Sequence, residues 1–444
     1  MDFARRAWDH SFPMDPIVRT LLDTDFYKFL MGQMIWKRHL DVEAGFALSN
    51  RTKTVRLAEL IDPGELREQL DHVRSLTFRA NELVWLRGQT FYGQEGMFTP
   101  DYIEFLRTLR LPDYSLGADP ETGQIVFETH GRWAETTFWE IYVLSVVNEL
   151  RNRAVLKTMG RSQLDILFAR AKVKLYAKLE RLAELEDLNL TEFGTRRRHS
   201  FLWQEHCVLT AQEVLGSAFT GTSNAYLAMK HGLEARGTNA HELPMALAAL
   251  CPDDDEGCLR ASQYRVLEQW QESYHGGLLV FLSDTFGTTQ FLRDAPDWVA
   301  GWTGARPDSK PPIDAGEELI AFWQARGADP TEKLIIFSDG MDVSIPGFRA
   351  NGSDIVDVHR HFHDRVRVGI GWGTMLTNDF IGCHPADADA LKPISLVCKL
   401  VSANSRPAVK LSDNASKATG PAAEIERYRR VFGSEGVTRS ETRV

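Results

Sequence analysis

Cysteine is scarce in this chain, and no two cysteines stand as a metal-binding pair. There are 5 among 444 residues, at Cys207, Cys251, Cys258, Cys383 and Cys398. An odd, scattered set without C-x-x-C spacing argues against a zinc module and a secreted disulfide scaffold, so the expectation is a reduced, cytoplasmic protein. Long apolar runs are missing too. None approaches the ~18 residues that a membrane span requires, so no membrane association is expected. The opening MDFARRAWDHSFPMDP is polar, contains proline and has no apolar core segment, so no signal peptide is expected. Positive charge is short: 51 Lys and Arg against 61 Asp and Glu leave a net charge of −10. That excludes general affinity for nucleic acid, and phosphate recognition would have to be local, through single arginines and backbone amides. Internal repeats and long low-complexity segments are absent as well.

What is present is an ordinary globular composition, 43% apolar and 25% charged, on a chain too long for one small core. Residues 1–150 read as a mixed domain. It has a helix over Leu21–His39 capped by Asp23 or Thr24, a strand in QIVFETHGRW, and the almost wholly apolar helix FWEIYVLSVVNELRNRA. From about 150 to 390, after a charged amphipathic helix, short apolar runs alternate with helical patterns. This is the signature of β/α units around a parallel sheet or barrel. Beyond 390, ISLVCKLVSANSRPAVKLSD reads as a β-hairpin turning at Asn404 to Pro407, followed by a polar tail expected to fray.

Chemistry concentrates where apolar runs end. FTGTSN supplies a turn of Thr220, Thr222, Ser223 and Asn224, and after a short helix Gly237-Thr238 presents His241 beside Glu242. Small hydroxyl residues and glycines let backbone amides approach anionic oxygens, and an imidazole there can accept a phosphoryl group or move a proton. LLVFLSDTFGTTQF leaves Asp284 just past its run, and KLIIFSDGMDV leaves Asp339 before Gly340. RVRVGIGWGTMLTNDF opens into Gly369, Gly371, Gly373 and Thr374, while TEFGTRRRHS puts Arg196, Arg197 and Arg198 after Phe193-Gly194. Polar residues after several successive strands favour a barrel, which gathers its site at the carboxyl ends. Arg197 and Arg198 read as surface or ion-pair residues, and His359, His361 and His363 as a polar helix end rather than a metal site.

Taken in order, LLDTDFYK, the helix with Glu140 and Glu149, FGTRRRHS, GTSN, GTNAHE, SDTFGT, ARPDS, FSDG, GWGTMLTND, VCKLV and VKLSD resemble the nicotinate phosphoribosyltransferases, from about residue 20 to about 420. The resemblance implies an α/β fold: an irregular β/α barrel over 151–390, with a second α+β domain built from 1–150 and a returning segment, 391–444. It also implies a homodimer with shared active sites. The implied reaction joins nicotinate to phosphoribosyl pyrophosphate with Mg²⁺, coupled to ATP hydrolysis through a phosphohistidine, in NAD salvage. On this chain His241 would be phosphorylated, Asp284 would orient it and Glu242 would assist. Phe193 would stack on the pyridine, and Tyr27 would close its other side from the partner subunit. Arg196 would meet the phosphates or the carboxylate. Arg306, Asp308 and Asp339 would hold pyrophosphate, ribose and metal, with Asp308 and Asp339 as metal ligands. Gly371, Gly373 and Thr374 would cradle the 5′-phosphate. Ser223, where the nicotinamide enzymes carry an acid, favours nicotinate because a hydroxyl can donate to its carboxylate. The family's RHDSGDP is RPDSKPP here, with Lys310 and Pro311 replacing a Gly-Asp pair, which puts one metal or ribose contact in question. Leu243 and His199 read as changes in the pocket wall. The alternatives are a nicotinamide phosphoribosyltransferase, or an inactive homologue that binds phosphoribosyl pyrophosphate.

Overall fold

The computed structural model describes residues 1–9, 16–91 and 95–439. Two sheets organise it. Six parallel strands run in the order Phe219–Thr222, Leu190–Glu192, Arg367–Trp372, Leu334–Phe337, Gly304–Ala305 and Val280–Phe281. Helices fill the connections, as a parallel ladder requires. At the open side of Phe219–Thr222 the segment after the next helix adds a bridge, Thr222 to Ala235, in parallel sense. Gly221 sits at φ +135, and a Cβ there would strike the Glu234 carbonyl oxygen at 2.2 Å, so only glycine lets this extra chain in. The result is the irregular β/α barrel expected from the alternating pattern.

The second sheet is antiparallel and joins both ends of the chain. Its order is Arg406–Pro407, Leu396–Ala403, Glu43–Asn50, Gln124–Arg132 and Tyr114–Asp119. The hairpin turns at Asn404 and Ser405, both at positive φ, the backbone that matches a two-residue turn to the strand twist. The apolar helix Trp139–Lys157 is buried along nearly its whole length between this sheet and the barrel. Its Glu140 lines the site, and its apolar residues close the core.

Several local expectations are corrected. The first long helix runs Tyr27–Arg38 and has no side-chain cap, because Asp23 is taken by Arg198, which is fully buried. After the hairpin the chain leaves the N-terminal sheet. Val409, Leu411, Tyr428, Val431 and Phe432 pack with Phe286 and Leu259 on the barrel side. The expected frayed tail is tied down through residue 438, where Thr438 donates its N–H to Asp413 and accepts from the Ala415 N–H; residues 440–444 lie outside the described residues, as do 10–15 of the opening segment. Cys251 and Cys258, expected reduced, form a disulfide across the acidic loop CPDDDEGC, with Cα atoms 5.8 Å apart. A loop that turns back on itself brings them within bridging reach at a spacing that no C-x-x-C search would find.

Candidate active site

Four strand ends and the C-terminal hairpin converge on a cavity of about 200 Å³ at the carboxyl face of the barrel. His241 stands at its middle, in the residue before helix Glu242–Ala249. The loop leading to it crosses the start of the Tyr27 helix. A Cβ on Gly237 would lie 2.6 Å from the Tyr27 nitrogen, which is why GTN needs its glycine. Asp284, fully buried, accepts from His241 Nε2 at 2.7 Å. Its other oxygen accepts from Ser309 at 2.6 Å and from Lys410 at 3.2 Å. Burial alone would raise the Asp284 carboxyl, but His241 and Lys410 outweigh it and hold it well below the carboxylate range. Burial lowers the His241 pKa, so the ring is neutral and nucleophilic near pH 7.

On one side of His241 the pocket narrows to a slot of about 70 Å³ lined by Asp25, Tyr27, Phe193, Arg196 and Ser223. Phe193 is positioned by the neighbouring strand Arg367–Trp372: its N–H donates to the Trp372 carbonyl at 2.9 Å, and its ring lies over Gly371, where a Cβ would meet it at 2.5 Å. Tyr27 donates to Glu140 at 3.1 Å. The Arg196 guanidinium sits between Asp25 at 3.6 Å and Glu140 at 3.7 Å, with its outer face open to the slot. Beneath them Glu192 accepts from Thr222, from Gln204 and from the Gly194 N–H. Burial pushes its carboxyl up to about 7. An aromatic clamp with one guanidinium suits a flat ring bearing an anionic substituent.

On the other side the lining turns basic. Arg51, Arg197, Lys399, Lys410 and Lys417 reach the cavity alongside Arg306. Arg306 is fixed by donating to Thr238 at 3.1 Å and to the Asn239 carbonyl at 2.9 Å. Lys417 pairs with Asp339 at 2.5 Å. Burial drags Arg197 down to about 10 and Lys399 well below its ordinary value. Cations in excess of the anions beside them, with Lys417 on Asp339 and Lys410 on Asp284, make a site for a polyanion.

His241, Asp284 and Asp308 offer ligand atoms within 4.8 Å of one another. Lys410 already stands among them, 2.9 Å from His241 Nε2 and 3.9 Å from Asp308, so the cation of that trio is the chain's own ammonium. Asp308 and Asp339 are the two partly exposed carboxylates on the cavity wall. Two hard oxygen donors beside a phosphate-sized basic pocket fit Mg²⁺, which takes few protein ligands and completes its shell with substrate oxygens.

The structure thus gathers His241, Asp284, Tyr27, Phe193, Arg196, Ser223, Arg306, Asp308, Asp339, Gly373 and Thr374 at or directly behind one cavity. Corrections follow for the others. Glu242 turns away from His241, accepting from Trp133 at 2.6 Å and Lys28 at 2.7 Å. Gly371 serves the Phe193 ring rather than the cavity surface. Tyr27 lines the slot of this chain. Ser223 gives its proton to Asp25 at 2.7 Å and so offers lone pairs, not a donor. Arg197 lines the cavity, whereas Arg198 is the ion pair it was read as, bidentate on Asp23 at 2.7 and 2.8 Å. Leu243 and His199 lie in the core, His199 stacked on Phe380 at 3.9 Å. Lys310 leaves the cavity for Glu318 and Thr289, and Pro311 starts the helix Pro312–Ala325. Missed by sequence reasoning were Asp25, Arg51, Lys399, Lys410 and Lys417. The one signal available was a lone lysine inside each apolar stretch of VCKLV and AVKLSD.

The chain is similar in sequence and fold to known proteins. The nicotinate phosphoribosyltransferase (NAPRTase) family matches residues 188–436, and its N-terminal domain matches residues 22–148. A nicotinate phosphoribosyltransferase structure from Vibrio cholerae is 29% identical, with a TM-score of 0.79 over 94% of each chain. One from Porphyromonas gingivalis is 27% identical, with a TM-score of 0.77 over 94% of this chain and 100% of that one. A structure from Saccharomyces cerevisiae, 23% identical, shares the fold with a TM-score of 0.77 over 95% and 99%.

Proposed function

The chain belongs to the nicotinate phosphoribosyltransferase family, and from that premise we propose that it converts nicotinate and phosphoribosyl pyrophosphate to nicotinate mononucleotide and pyrophosphate, coupled to ATP hydrolysis through phosphorylation of His241. One observation carries the reading: a single cavity joins an aromatic slot with a guanidinium, a histidine held by a buried aspartate, and a ring of buried cations.

The ring would lie between Phe193 and Tyr27 with its carboxylate toward Arg196. Its nitrogen attacks the anomeric carbon. The bond from nitrogen to that carbon forms as the bond to the pyrophosphate oxygen breaks, and no protein nucleophile touches the sugar. Positive charge grows on the ribose and negative charge on the departing pyrophosphate. The chain's part is positioning and electrostatics, with Arg306, Lys399 and Lys417 on the leaving group and Asp308 near the ribose. Mg²⁺, held by Asp308 and Asp339, would add neutralisation of phosphate charge. His241 serves the energy coupling: with Nε2 held by Asp284, Nδ1 is the nitrogen left to take the phosphoryl group of ATP, and Lys410 steadies the charge. The products feed NAD salvage in the cytoplasm.

Nicotinamide is the competing substrate, favoured by the lone pairs that Ser223 presents. The test is product formation from phosphoribosyl pyrophosphate and Mg²⁺ with equal nicotinate and nicotinamide, with and without ATP. Nicotinate mononucleotide formed faster with ATP, with ADP released, is the expected outcome. Nicotinamide mononucleotide as the main product, or no product, overturns the reading.

A further inference from the structure

The slot holds a contradiction that the assigned roles leave standing. A nicotinate carboxylate placed against Arg196 would also lie against Asp25, which is 2% exposed and lines the same slot. Asp25 Oδ1 takes the only proton that Ser223 owns, at 2.7 Å. With Asp25 ionised, the wall facing the substituent is therefore a carboxylate and a hydroxyl oxygen with lone pairs outward. That wall repels an anion and accepts from an amide. Arg196 is shared with Asp25 and Glu140 and cannot neutralise both of them and a third carboxylate.

A single proton on Asp25 resolves this. The protonated acid donates to Ser223 Oγ, the Ser223 proton swings toward the slot, and the pair becomes a donor to the substrate carboxylate. Resting on the proposed nicotinate reaction, we infer that Asp25 and Ser223 act as a proton-coupled selector: nicotinate binds with uptake of one proton from solvent onto Asp25, and nicotinamide binds without it. One proton is gained and one negative charge enters, so the slot keeps its charge.

The surroundings support protonation at Asp25. The backbone bridge from Asp25 to Asn224 fixes it beside Ser223. Burial raises its carboxyl above the ordinary value, with Glu140 adding to the rise and Arg196, Ser223 and Thr195 opposing it. The other charged groups facing the slot are Arg236, His241, Arg306 and Asp308. Asp23, two residues away, is already neutralised by Arg198. The rival proton acceptor is Glu192, which is buried and close enough to act on the same charge.

The experiment is calorimetric titration of the full-length protein with nicotinate at pH 7.5 in two non-phosphate buffers of different ionisation heat, with nicotinamide as control. It is paired with the nicotinate KM from pH 6.5 to 9. Expected are about one proton taken up per nicotinate and none per nicotinamide. The nicotinate KM should rise about tenfold per pH unit where free Asp25 is ionised. Asp25→Asn, which keeps a neutral donor of the same shape, should abolish the proton uptake and flatten the KM profile, whereas Glu192→Gln should leave both. Nicotinate turnover with no proton uptake and a flat wild-type KM overturns the selector while leaving the reaction intact. Uptake lost in Glu192→Gln but kept in Asp25→Asn overturns it too. Should Asp25→Asn not fold, the wild-type count and the Glu192→Gln profile still decide. Absence of nicotinate turnover in the wild type would instead overturn the proposed reaction.

Discussion

The two ends of the cavity handle charge in opposite ways. At the pyridine end, acids and bases interleave: Asp25 and Glu140 lie against Arg196, Glu192 is buried beneath them, and hydroxyls, amides and Lys28 satisfy most of their oxygens. At the phosphate end, Arg51, Arg197, Lys399, Lys410 and Lys417 face Asp308 and Asp339. Burial works against the charged form in both places, but the outcomes differ. Burial raises Asp25 and lifts Glu192 to about 7, while against burial Lys28 and Arg196 hold Glu140 below its ordinary value. Burial lowers Arg197 to about 10 and Lys399 well below its ordinary value. The first end is therefore preorganised for a small flat ring, and the second is relieved only when phosphates arrive.

The sharpest way to break this picture is at the junction. Asp284→Asn removes the acceptor that orients His241 and leaves the Lys410 ammonium without its partner. ATP stimulation and ADP release per product are expected to fall on the order of 100-fold or more, and transfer without ATP far less. Phosphoenzyme labelling with ATP checks the same point. Undiminished labelling would mean that the imidazole needs no holding.

The next test asks whether the phosphate end is specific. Lys399→Ala deletes one buried cation from the hairpin wall. Loss of a charged contact worth about 1.5–3 kcal/mol predicts a KM for phosphoribosyl pyrophosphate raised roughly 10- to 100-fold, with the nicotinate KM within about twofold. Equal changes in both constants would erase the division between the ends. Phe193→Ala is the mirror experiment. Stacking of about 0.5–1.5 kcal/mol predicts a nicotinate KM raised up to about tenfold, and little change for phosphoribosyl pyrophosphate.

The sequence foretold these two ends unequally, for a physical reason. The pyridine end and the histidine come from residues that follow parallel strands. There an apolar run stops at the strand's carboxyl end and the residue just past it stands at or behind the site: Phe193 and Asp284 were legible this way, as was Asp339 at the phosphate end. Lys399, Lys410, Lys417 and Arg51 come from the antiparallel sheet and the segment beyond it. In such strands a single lysine between apolar neighbours reads as the solvent face of an alternation, and only the pairing of Leu396–Ala403 with Glu43–Asn50 against the barrel turns that face inward. Asp25 was hidden differently. Its chain neighbours are those of a helix start, and the residue it works with lies 198 positions away. His199 was misplaced because a histidine beside arginines looks like pocket chemistry, when its ring is core packing.

That last residue offers the smallest effect. His199 is 2% exposed, stacks on Phe380, and burial drops its pKa to about 3. Its folded value lies below the unfolded 6.5, so the unfolded chain binds the extra proton and stability falls as pH falls. The contribution is complete above pH 6.5 and is lost progressively toward pH 3. Between pH 8 and 6 this one group should cost about 0.8 kcal/mol. His199→Phe places an apolar ring of similar size in the same stack and carries no proton, so its denaturation midpoint should be less sensitive to acid over that interval by this amount. Urea melts at the two pH values measure it. A variant that loses stability with acid as steeply as the wild type would mean that the imidazole is charged in the fold.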